Sequence, residues 1–284
     1  MIKTYYMLTK PGIILGNLIT TAAGFILASK GPIDIVLFLV TLLGLALVIA
    51  SGCICNNYLD RKADAKMKRT KNRALVKKLI SPQKAIFFAA FLGILGVFVL
   101  GFFTNLLATL IAIAGFLIYV ILYGILKYKS IHGTLIGSLS GAVPPVIGYV
   151  AVSNQLDLGA LLLFMIVVLW QMPHFFAIAI YRYDDYKAAS IPVLPTKKGI
   201  KTTKVNMLFY LIAFIIVSAL LTVFGYTGLT YLGITTILGL IWLFLCLQGF
   251  KAKNNILWAR KMFVFSLIMI TVQCIAMSLD VIKQ

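Results

Sequence analysis

The sequence predicts an all-α protein, a polytopic membrane helical bundle of about nine transmembrane helices. Of the 284 residues, 62% are hydrophobic, and the mean hydropathy is +1.03. Several apolar runs reach the roughly 20 residues that an α-helix needs to cross the hydrocarbon core of a bilayer. Because lipid offers backbone groups no hydrogen-bond partners, such runs are predicted to be helices.

Nine apolar runs are predicted to span the membrane. Their bounds are 13–29, 35–55, 85–103, 106–126, 134–152, 159–180, 205–225, 229–250 and 263–282. The first run follows Lys3 and Lys10 and therefore has the outline of a signal peptide. Since the rest of the chain is equally apolar, we expect it to be retained as a span.

The basic residues predict the orientation of the bundle. Of the 26 Lys and Arg residues, 24 lie in the N-terminal segment or in alternate loops, and the exceptions are Lys30 and Lys283. The formal net charge of +19 is typical of nucleic-acid-binding proteins. The positive-inside rule accounts for it better, so we expect a lipid bilayer and no nucleic acid as partner, with a cytoplasmic N-terminus.

Acidic residues are scarce. The chain has seven Asp and no Glu, and four of these acids form the pairs Asp60/Asp64 and Asp184/Asp185. A carboxylate at the edge of a bilayer is costly and indicates function. Asn56, Asp60 and Asp64 are spaced by four residues and would share one stripe of a helix, where they could bind Mg²⁺ together with a diphosphate. The alternative is a helix-end acid stripe paired with nearby bases.

The segments around the acids carry bases that suit a phosphate. Arg69 and Arg73 follow the first acid pair, and Lys187 follows the second within a Tyr-rich segment that ends at Pro192 and Pro195. Guanidinium groups form bidentate contacts with phosphate oxygens. The alternatives are a solvated positive-inside loop and an ordinary helix end.

Small residues and two histidines mark other spans. Close helix packing is predicted by Gly133, Gly137 and Gly141, and the following Pro144-Pro145 pair is expected to break its span.

The only histidines are His132 at a span entrance and His174 within an apolar span. Each is either a hydrogen-bonded packing residue or a ligand of haem iron.

Four segments together resemble a known family. The sequence Asn-Asn-Tyr-Leu-Asp60-Arg-Lys-Ala-Asp64, continuing to Arg73, resembles the first motif of the intramembrane aromatic prenyltransferase superfamily. Thr9-Lys-Pro-Gly12, Trp170-Gln-Met-Pro-His174 and the segment from Asp185 to Pro195 are similar to the members that farnesylate haem. The chain departs from the family pattern at Lys62 and Lys68, where acids are usual, and at Ala74, where Pro is common. A cation at Lys62 could weaken Mg²⁺ affinity.

The resemblance implies a reaction and a site. One intramembrane prenyltransferase domain over residues 1–284 would transfer the farnesyl group of farnesyl diphosphate to a vinyl group of haem B (protoheme IX), giving haem O and diphosphate. The implied location is a bacterial inner (plasma) membrane, with the active-site loops cytoplasmic and a haem-copper oxidase as the eventual recipient of the product. The implied catalytic residues are Asp60, Asp64 and Asp185; the Mg²⁺ ligands Asp60, Asp64, Asp184 and Asp185; the diphosphate-binding residues Asn56, Arg69, Arg73 and Lys187; and the haem-binding residues His174 and His132.

Two other functions share some of these features. A prenyltransferase acting on a quinone precursor or another aromatic would need the acid motifs but neither His174 nor a haem-sized cavity. A secondary transporter would carry ionisable residues near the bilayer midplane, with broken helices and inverted repeats. Here the acids lie at one predicted face.

The charge bias predicts an odd number of spans with the two termini on opposite faces. Reporter fusions at residue 155 and at the C-terminus should report the outside, and a fusion near residue 75 should report the cytoplasm. A cytoplasmic C-terminal reporter would show that a span has been miscounted.

Overall fold

The computed structural model describes residues 2–282, which form a bundle of thirteen α-helices. The helices are α1 (Ile2–Leu8), α2 (Pro11–Ser29), α3 (Ile35–Asp64), α4 (Pro82–Phe103), α5 (Leu106–Leu117), α6 (Gly124–Lys129), α7 (Gly133–Gly141), α8 (Val143–Ser153), α9 (Leu158–Tyr181), α10 (Tyr183–Ala188), α11 (Leu194–Val223), α12 (Leu229–Gln248) and α13 (Asn255–Leu279). A π-helical segment, Ile118–Tyr123, joins α5 to α6. A short 3₁₀ turn, Gly249–Lys251, follows α12.

Nine spans are confirmed within residues 2–282, with α5 to α6 forming the fourth and α7 to α8 the fifth. Several helices run further than the apolar stretches predicted. Helix α3 continues to Asp64 and α13 begins at Asn255. Helix α11 begins at Leu194 but is broken at Gly199, whose backbone is not helical (φ 84°, ψ 164°). Hydropathy identifies only the apolar part of a helix, so it does not detect polar turns that extend the helix beyond the membrane. Lys283 lies outside the described residues.

Acids outside the two pairs cap helices at the opposite end of the bundle. The Asp34 carboxylate accepts a hydrogen bond from Leu37 N at the start of α3, and Asp157 accepts one from Ala160 N at the start of α9. Asp280 accepts one from Tyr231 N. These bonds satisfy donors that a helix N-terminus leaves unpaired, so the three acids have structural roles.

The fifth span is broken, as its prolines predict. Helices α7 and α8 meet at Ala142, and Pro144 and Pro145 occupy the first turn of α8, where a missing N–H costs no hydrogen bond. The glycines of α7 pack closely, as predicted. A Cβ at Gly137 would lie 3.1 Å from the Tyr123 ring, and one at Gly141 would lie 2.5 Å from the Gln171 amide.

Helices α2 and α8 contact each other through their backbones. A Cβ added to Gly24 would lie 2.1 Å from the carbonyl oxygen of Pro145, and one added to Gly148 would lie 2.0 Å from that of Thr21. Only glycine permits this approach, which is a usual device in membrane helix packing. The contact holds the first span against the broken fifth span.

The loop between α3 and α4, residues 65–81, is anchored rather than fully solvated. Although the loop is rich in bases, four of its side chains are buried: Met67, Thr70, Leu75 and Ile80. Leu75 and Ile80 belong to an apolar cluster with residues of α1, α3 and α4. The loop is therefore held against the acid-bearing end of α3.

The α2–α8 contact can be tested by adding a single methyl group. Gly24→Ala should lower stability by about 3 kcal/mol or more, because the new Cβ meets backbone that cannot rotate away. Gly16→Ala in the same helix has no atom within 4 Å of the new Cβ and should be neutral or slightly stabilising. Thermal unfolding of the purified variants in detergent measures both, and equal melting temperatures would contradict the contact.

Candidate active site at the acid-bearing end of the bundle

The first acid motif lies in the last turns of α3. Asn56, Asp60 and Asp64 follow one another at intervals of one helical turn, so the stripe predicted from their spacing is present. Asn56 and Asp64 are buried, whereas Lys62 is exposed. Two residues along a helix correspond to more than half a turn, so Lys62 projects away from the stripe.

Asp60 is held by a network that includes the fourth span. Its Oδ1 accepts hydrogen bonds from Lys127 Nζ at 2.5 Å and from the Tyr128 hydroxyl at 2.5 Å. With the Asn56 amide oriented to satisfy both of its partners, its nitrogen donates to Asp60 Oδ2 at 2.6 Å and its oxygen accepts from Lys127 Nζ at 3.0 Å. The Lys127 ammonium therefore lies between a carboxylate oxygen and an amide oxygen.

Asp64 forms a separate ion pair with the loop that follows it. Arg73 donates a hydrogen bond to Asp64 Oδ2 at 2.6 Å, and the Asp64 side chain is 2% exposed. The Thr70 hydroxyl donates to the Asp64 carbonyl oxygen at 3.0 Å. Arg73, predicted to bind diphosphate, is thus engaged with an acid, whereas the predicted Arg69 is exposed.

The second acid pair is brought to the first through a backbone contact. Asp185 Oδ1, on the short helix α10, accepts a hydrogen bond from Lys68 N at 2.8 Å across 117 residues of sequence. Asp184 and Lys187, the other predicted site residues of this segment, are exposed. The two acid clusters therefore share one end of the bundle, as predicted, and Asp185 makes the connection.

Tyr186 adds an electrostatic link between the clusters. Burial raises the pKa of its phenol, which Asp185 and Asp60 raise further and Arg69 opposes. The neutral phenol is consequently a hydrogen-bond donor at the edge of the site across the working pH range.

The fourth span contributes residues that the sequence analysis missed. Tyr119 and Tyr123 stack with ring centroids 5.6 Å apart in the π-helical segment, and Lys127 Nζ lies 4.9 Å from the Tyr123 centroid. Single π-helical turns within α-helices are frequent at functional sites. In the sequence Lys127 has the position of an ordinary positive-inside base, and no sequence signal distinguishes it from Lys129.

Lys10 is another residue that the sequence analysis did not place in the site. It joins α1 to α2 with a left-handed backbone (φ 54°), and its Nζ lies 3.4 Å from the Asn56 amide. Burial lowers the pKa of Lys10 to about 8, and the nearby Arg73 and Lys127 charges also lower it. The available signal was its place within the Thr-Lys-Pro-Gly segment.

The two histidines occupy different environments. His174 is buried in α9, and its Nδ1 lies 2.6 Å from the Ser266 hydroxyl of α13. Its ring stacks on Trp170 at 4.9 Å. His132 is exposed immediately before α7. Of the two, only His174 lies within the apolar bundle.

The donor set at Asp60 suits a hard cation. An ammonium already occupies the position between the Asp60 and Asn56 oxygens, and oxygen donors of these kinds are those that Mg²⁺ prefers. Within residues 2–282, no three Asp, His or Cys side chains converge on one point. Such a site fits Mg²⁺ in its usual protein setting, where one or two carboxylates bind it and phosphate oxygens and water complete its shell.

Fold and sequence together define the class of this protein. The profile of the UbiA prenyltransferase family matches residues 17–268. The chain belongs to this family. A relative from Protochlamydia amoebophila (strain UWE25), named protoheme IX farnesyltransferase, is 55% identical over 283 residues, which is 100% of each chain.

Solved structures share the architecture. A structure described as that of digeranylgeranylglyceryl phosphate synthase in membranes superimposes with a TM-score of 0.81 at 24% identity, covering 100% of this chain and 99% of its own. A UbiA homologue from Archaeoglobus fulgidus bound to GPP and Mg²⁺ has a TM-score of 0.69 at 16% identity, covering 96% and 99%. At these identities the likeness shows the common fold.

The buried Asp64–Arg73 pair should contribute to stability. Arg73→Met leaves the Asp64 carboxylate buried without its partner, and we expect a loss of about 3 kcal/mol, at the lower end for a broken buried pair because Arg73 is partly exposed. Arg69→Met removes an exposed guanidinium from the same loop and should cost little. Thermal unfolding in detergent compares the Arg73→Met and Arg69→Met variants. Equal stabilities would show that the Asp64–Arg73 pair contributes no net stabilisation.

Proposed function

We propose that this protein transfers the farnesyl group of farnesyl diphosphate to a vinyl group of haem B, giving haem O and diphosphate. The observation that carries the proposal is the meeting of both acid clusters with Lys10, Lys127 and Arg73 at one end of an apolar bundle. A diphosphate needs such a polar end, and a farnesyl chain needs the apolar interior. The full-length similarity to a relative named protoheme IX farnesyltransferase supports haem as the acceptor.

Mg²⁺ would be held by Asp60, Asp64 and the Asn56 oxygen, with Asp185 as the nearest acid of the second cluster. The metal supplies charge neutralisation to the diphosphate when it is bound. Asp184 is exposed beside Asp185 and would remain largely hydrated. Lys62 projects away from these groups, so it would not lower Mg²⁺ affinity strongly.

The cations of the site would bind the departing diphosphate. Lys127 is paired with Asp60 in the structure. When Asp60 binds a metal, the Lys127 ammonium becomes available to a phosphate oxygen. Lys10 and the exposed Arg69 border the same end. An anion beside Lys10 would stabilise its charged form against burial. Charge placed where the leaving group develops its own charge lowers the barrier.

The rest of the reaction takes place among apolar side chains. The bond between farnesyl C1 and the diphosphate oxygen breaks, and the terminal carbon of the haem vinyl group supplies the electron pair for the new C–C bond. The resulting cation beside the porphyrin ring takes a hydroxyl from water, which releases a proton. Spans that exclude bulk water protect the allylic cation from hydrolysis.

We further infer that residues 1–284 form one catalytic domain in a bacterial inner membrane with its acid-bearing end in the cytoplasm. The strong bias of Lys and Arg to this end supports the orientation. The position of the acids at one end, rather than at the midplane, argues against the transporter alternative.

Incubation of membranes containing the protein with haem B and labelled farnesyl diphosphate tests the proposal. Haem O carrying the label should form only when Mg²⁺ is present. Transfer of the label to a quinone precursor in place of haem would favour the other prenyltransferase, and no transfer to either would remove the proposal.

Asp60→Ala and Asp64→Ala should each abolish prenyl transfer without preventing membrane insertion, because the carboxylates hold the metal. We expect a loss of at least about 100-fold in turnover, the order associated with removing one group that stabilises a developing charge. Haem O formation at saturating Mg²⁺, normalised to folded protein, measures the loss. Asp34→Asn is the matched control, since Asn also caps a helix. Near-normal turnover in either Ala variant would remove that carboxylate from the site.

Lys127→Met should weaken binding of farnesyl diphosphate about tenfold, the equivalent of one charge-assisted contact. Lys129→Met removes an exposed base two residues away and serves as the control. Equilibrium binding of labelled farnesyl diphosphate with Mg²⁺, without haem, reports the affinity. Equal affinities of the two variants would assign Lys127 to the structural network alone.

A further inference from the structure

Helices α9 and α13 are joined by two polar contacts deep in the bundle. Trp170 Nε1 donates a hydrogen bond to the Ser266 carbonyl oxygen at 2.8 Å. One turn along α9, His174 Nδ1 lies 2.6 Å from the hydroxyl of the same serine. The His174 ring is further bordered by Phe263, at 5.1 Å between centroids.

The serine determines which nitrogen of His174 carries the proton. The Ser266 hydroxyl donates its hydrogen to the Phe263 carbonyl oxygen at 2.6 Å. Because that hydrogen is already used, the hydroxyl accepts from His174, and Nδ1 must be the protonated nitrogen. The lone pair of the neutral ring is then on Nε2, which makes no hydrogen bond to any residue within 2–282 although the side chain is only 8% exposed. Nε2 is therefore free to bind a ligand, and neutral imidazole nitrogen is a common ligand of haem iron.

Two guanidinium groups lie on the same pair of helices, at the acid-bearing end. Arg182, at the end of α9, lies 4.3 Å from the Tyr181 ring centroid. Arg260 of α13 lies 5.9 Å from the same centroid. No carboxylate within residues 2–282 pairs with either one. Six residues of α13 separate Arg260 from Ser266, and eight of α9 separate Arg182 from His174, distances of about 9 and 12 Å along the helices.

We propose that the seam between α9 and α13, formed by Trp170, His174 and Arg182 of the first and Arg260 and Ser266 of the second, binds haem B, with the iron at His174 Nε2 and the propionates at Arg182 and Arg260. The inference rests on the proposed function and adds the position and orientation of its acceptor. Haem is a flat apolar ring with two carboxylates on one edge. The seam provides an imidazole with a free Nε2, aromatic side chains beside it, and two unpaired guanidinium groups nearer the polar end of the same two helices. Guanidinium groups bind carboxylates through paired hydrogen bonds.

The proposed position of haem also agrees with the proposed position of farnesyl diphosphate. Asp185 lies three residues beyond Arg182 and bonds to the loop that follows the first acid motif. The charged parts of both substrates would therefore bind at the polar end of the bundle. Their reacting carbons would then lie in the apolar interior, where an allylic cation is protected from water.

The propionate contacts are tested by titrating purified protein with haem B and with haem B dimethyl ester, whose propionates carry no charge. Arg260→Gln should weaken haem B binding about tenfold, as loss of one charge-assisted contact does, and should leave binding of the ester unchanged. Lys261→Gln makes the same charge change at the next residue of α13, which is also exposed, and should alter neither. Equal effects of Arg260→Gln on both ligands, or no effect, would overturn the propionate assignment.

The histidine contact is tested first in the haem-free protein and then with added haem. In a His132→Gln background, ¹⁵N-labelled histidine reports His174 alone, and NMR should show a protonated Nδ1 and an unprotonated Nε2. Ser266→Ala should shift this tautomer balance and the Soret band of added haem, whereas Trp170→Phe, which removes the other bond to Ser266, should leave the tautomer unchanged. A protonated Nε2 in the wild-type chain, or a Soret band indifferent to His174→Ala, would overturn the iron assignment.

The outcome for haem O synthesis separates this inference from the proposed function. If the wild-type protein forms haem O but the Arg260 and Ser266 variants bind haem normally, the seam is not the haem site and the function stands. If the wild-type protein neither binds haem nor forms haem O, both are overturned.

Discussion

The structure depends on neutralising the negative charge of a few carboxylates that lie at the edge of an apolar bundle. A charge in this position costs several kcal/mol unless it is paired and hydrogen-bonded. Asp60 obtains an ammonium from the fourth span, and Asp64 obtains a guanidinium from the loop after α3. These two pairs join segments that are distant in sequence. The requirement to neutralise the acids therefore also assembles the cations that a diphosphate would need.

Close helix packing brings those cations within reach. The glycines of α7 let it lie directly against the fourth span, where Gly137 contacts the Tyr123 ring and Gly133 contacts the backbone of Lys127. A side chain at either position would push the fourth span outward and lengthen the contact between Lys127 and Asp60. In lipid, where apolar surface gives helices little reason to associate, such contacts hold a bundle together. Glycines without chemistry of their own thus control the geometry of the charged site.

The bundle separates polar from apolar chemistry along its axis. The acids of both motifs and their bases occupy one end, and His174 lies within the apolar part of α9. Both proposed substrates have this same division, each with an anionic end and a long or broad hydrocarbon body. A substrate that enters with its charge at the polar end is oriented before any specific contact forms. Binding energy at the charged groups can then position carbons that the protein contacts only through apolar surfaces.

Most of the architecture follows from the sequence alone. The number of spans, the helical stripe of Asn56, Asp60 and Asp64, and the break before Pro144 follow from hydropathy and helical periodicity, which are local properties of the chain. Tertiary structure alone decided that Lys127 pairs with Asp60, that Arg73 is engaged by Asp64, and that Asp185 rather than Asp184 reaches the first motif. It also decided that the Ser266 hydroxyl orients the His174 ring. The reason is physical: a one-dimensional pattern records which residues share a helix face, but the partner of a buried charge is chosen by which helices pack together, and that choice depends on contacts between residues far apart in the sequence.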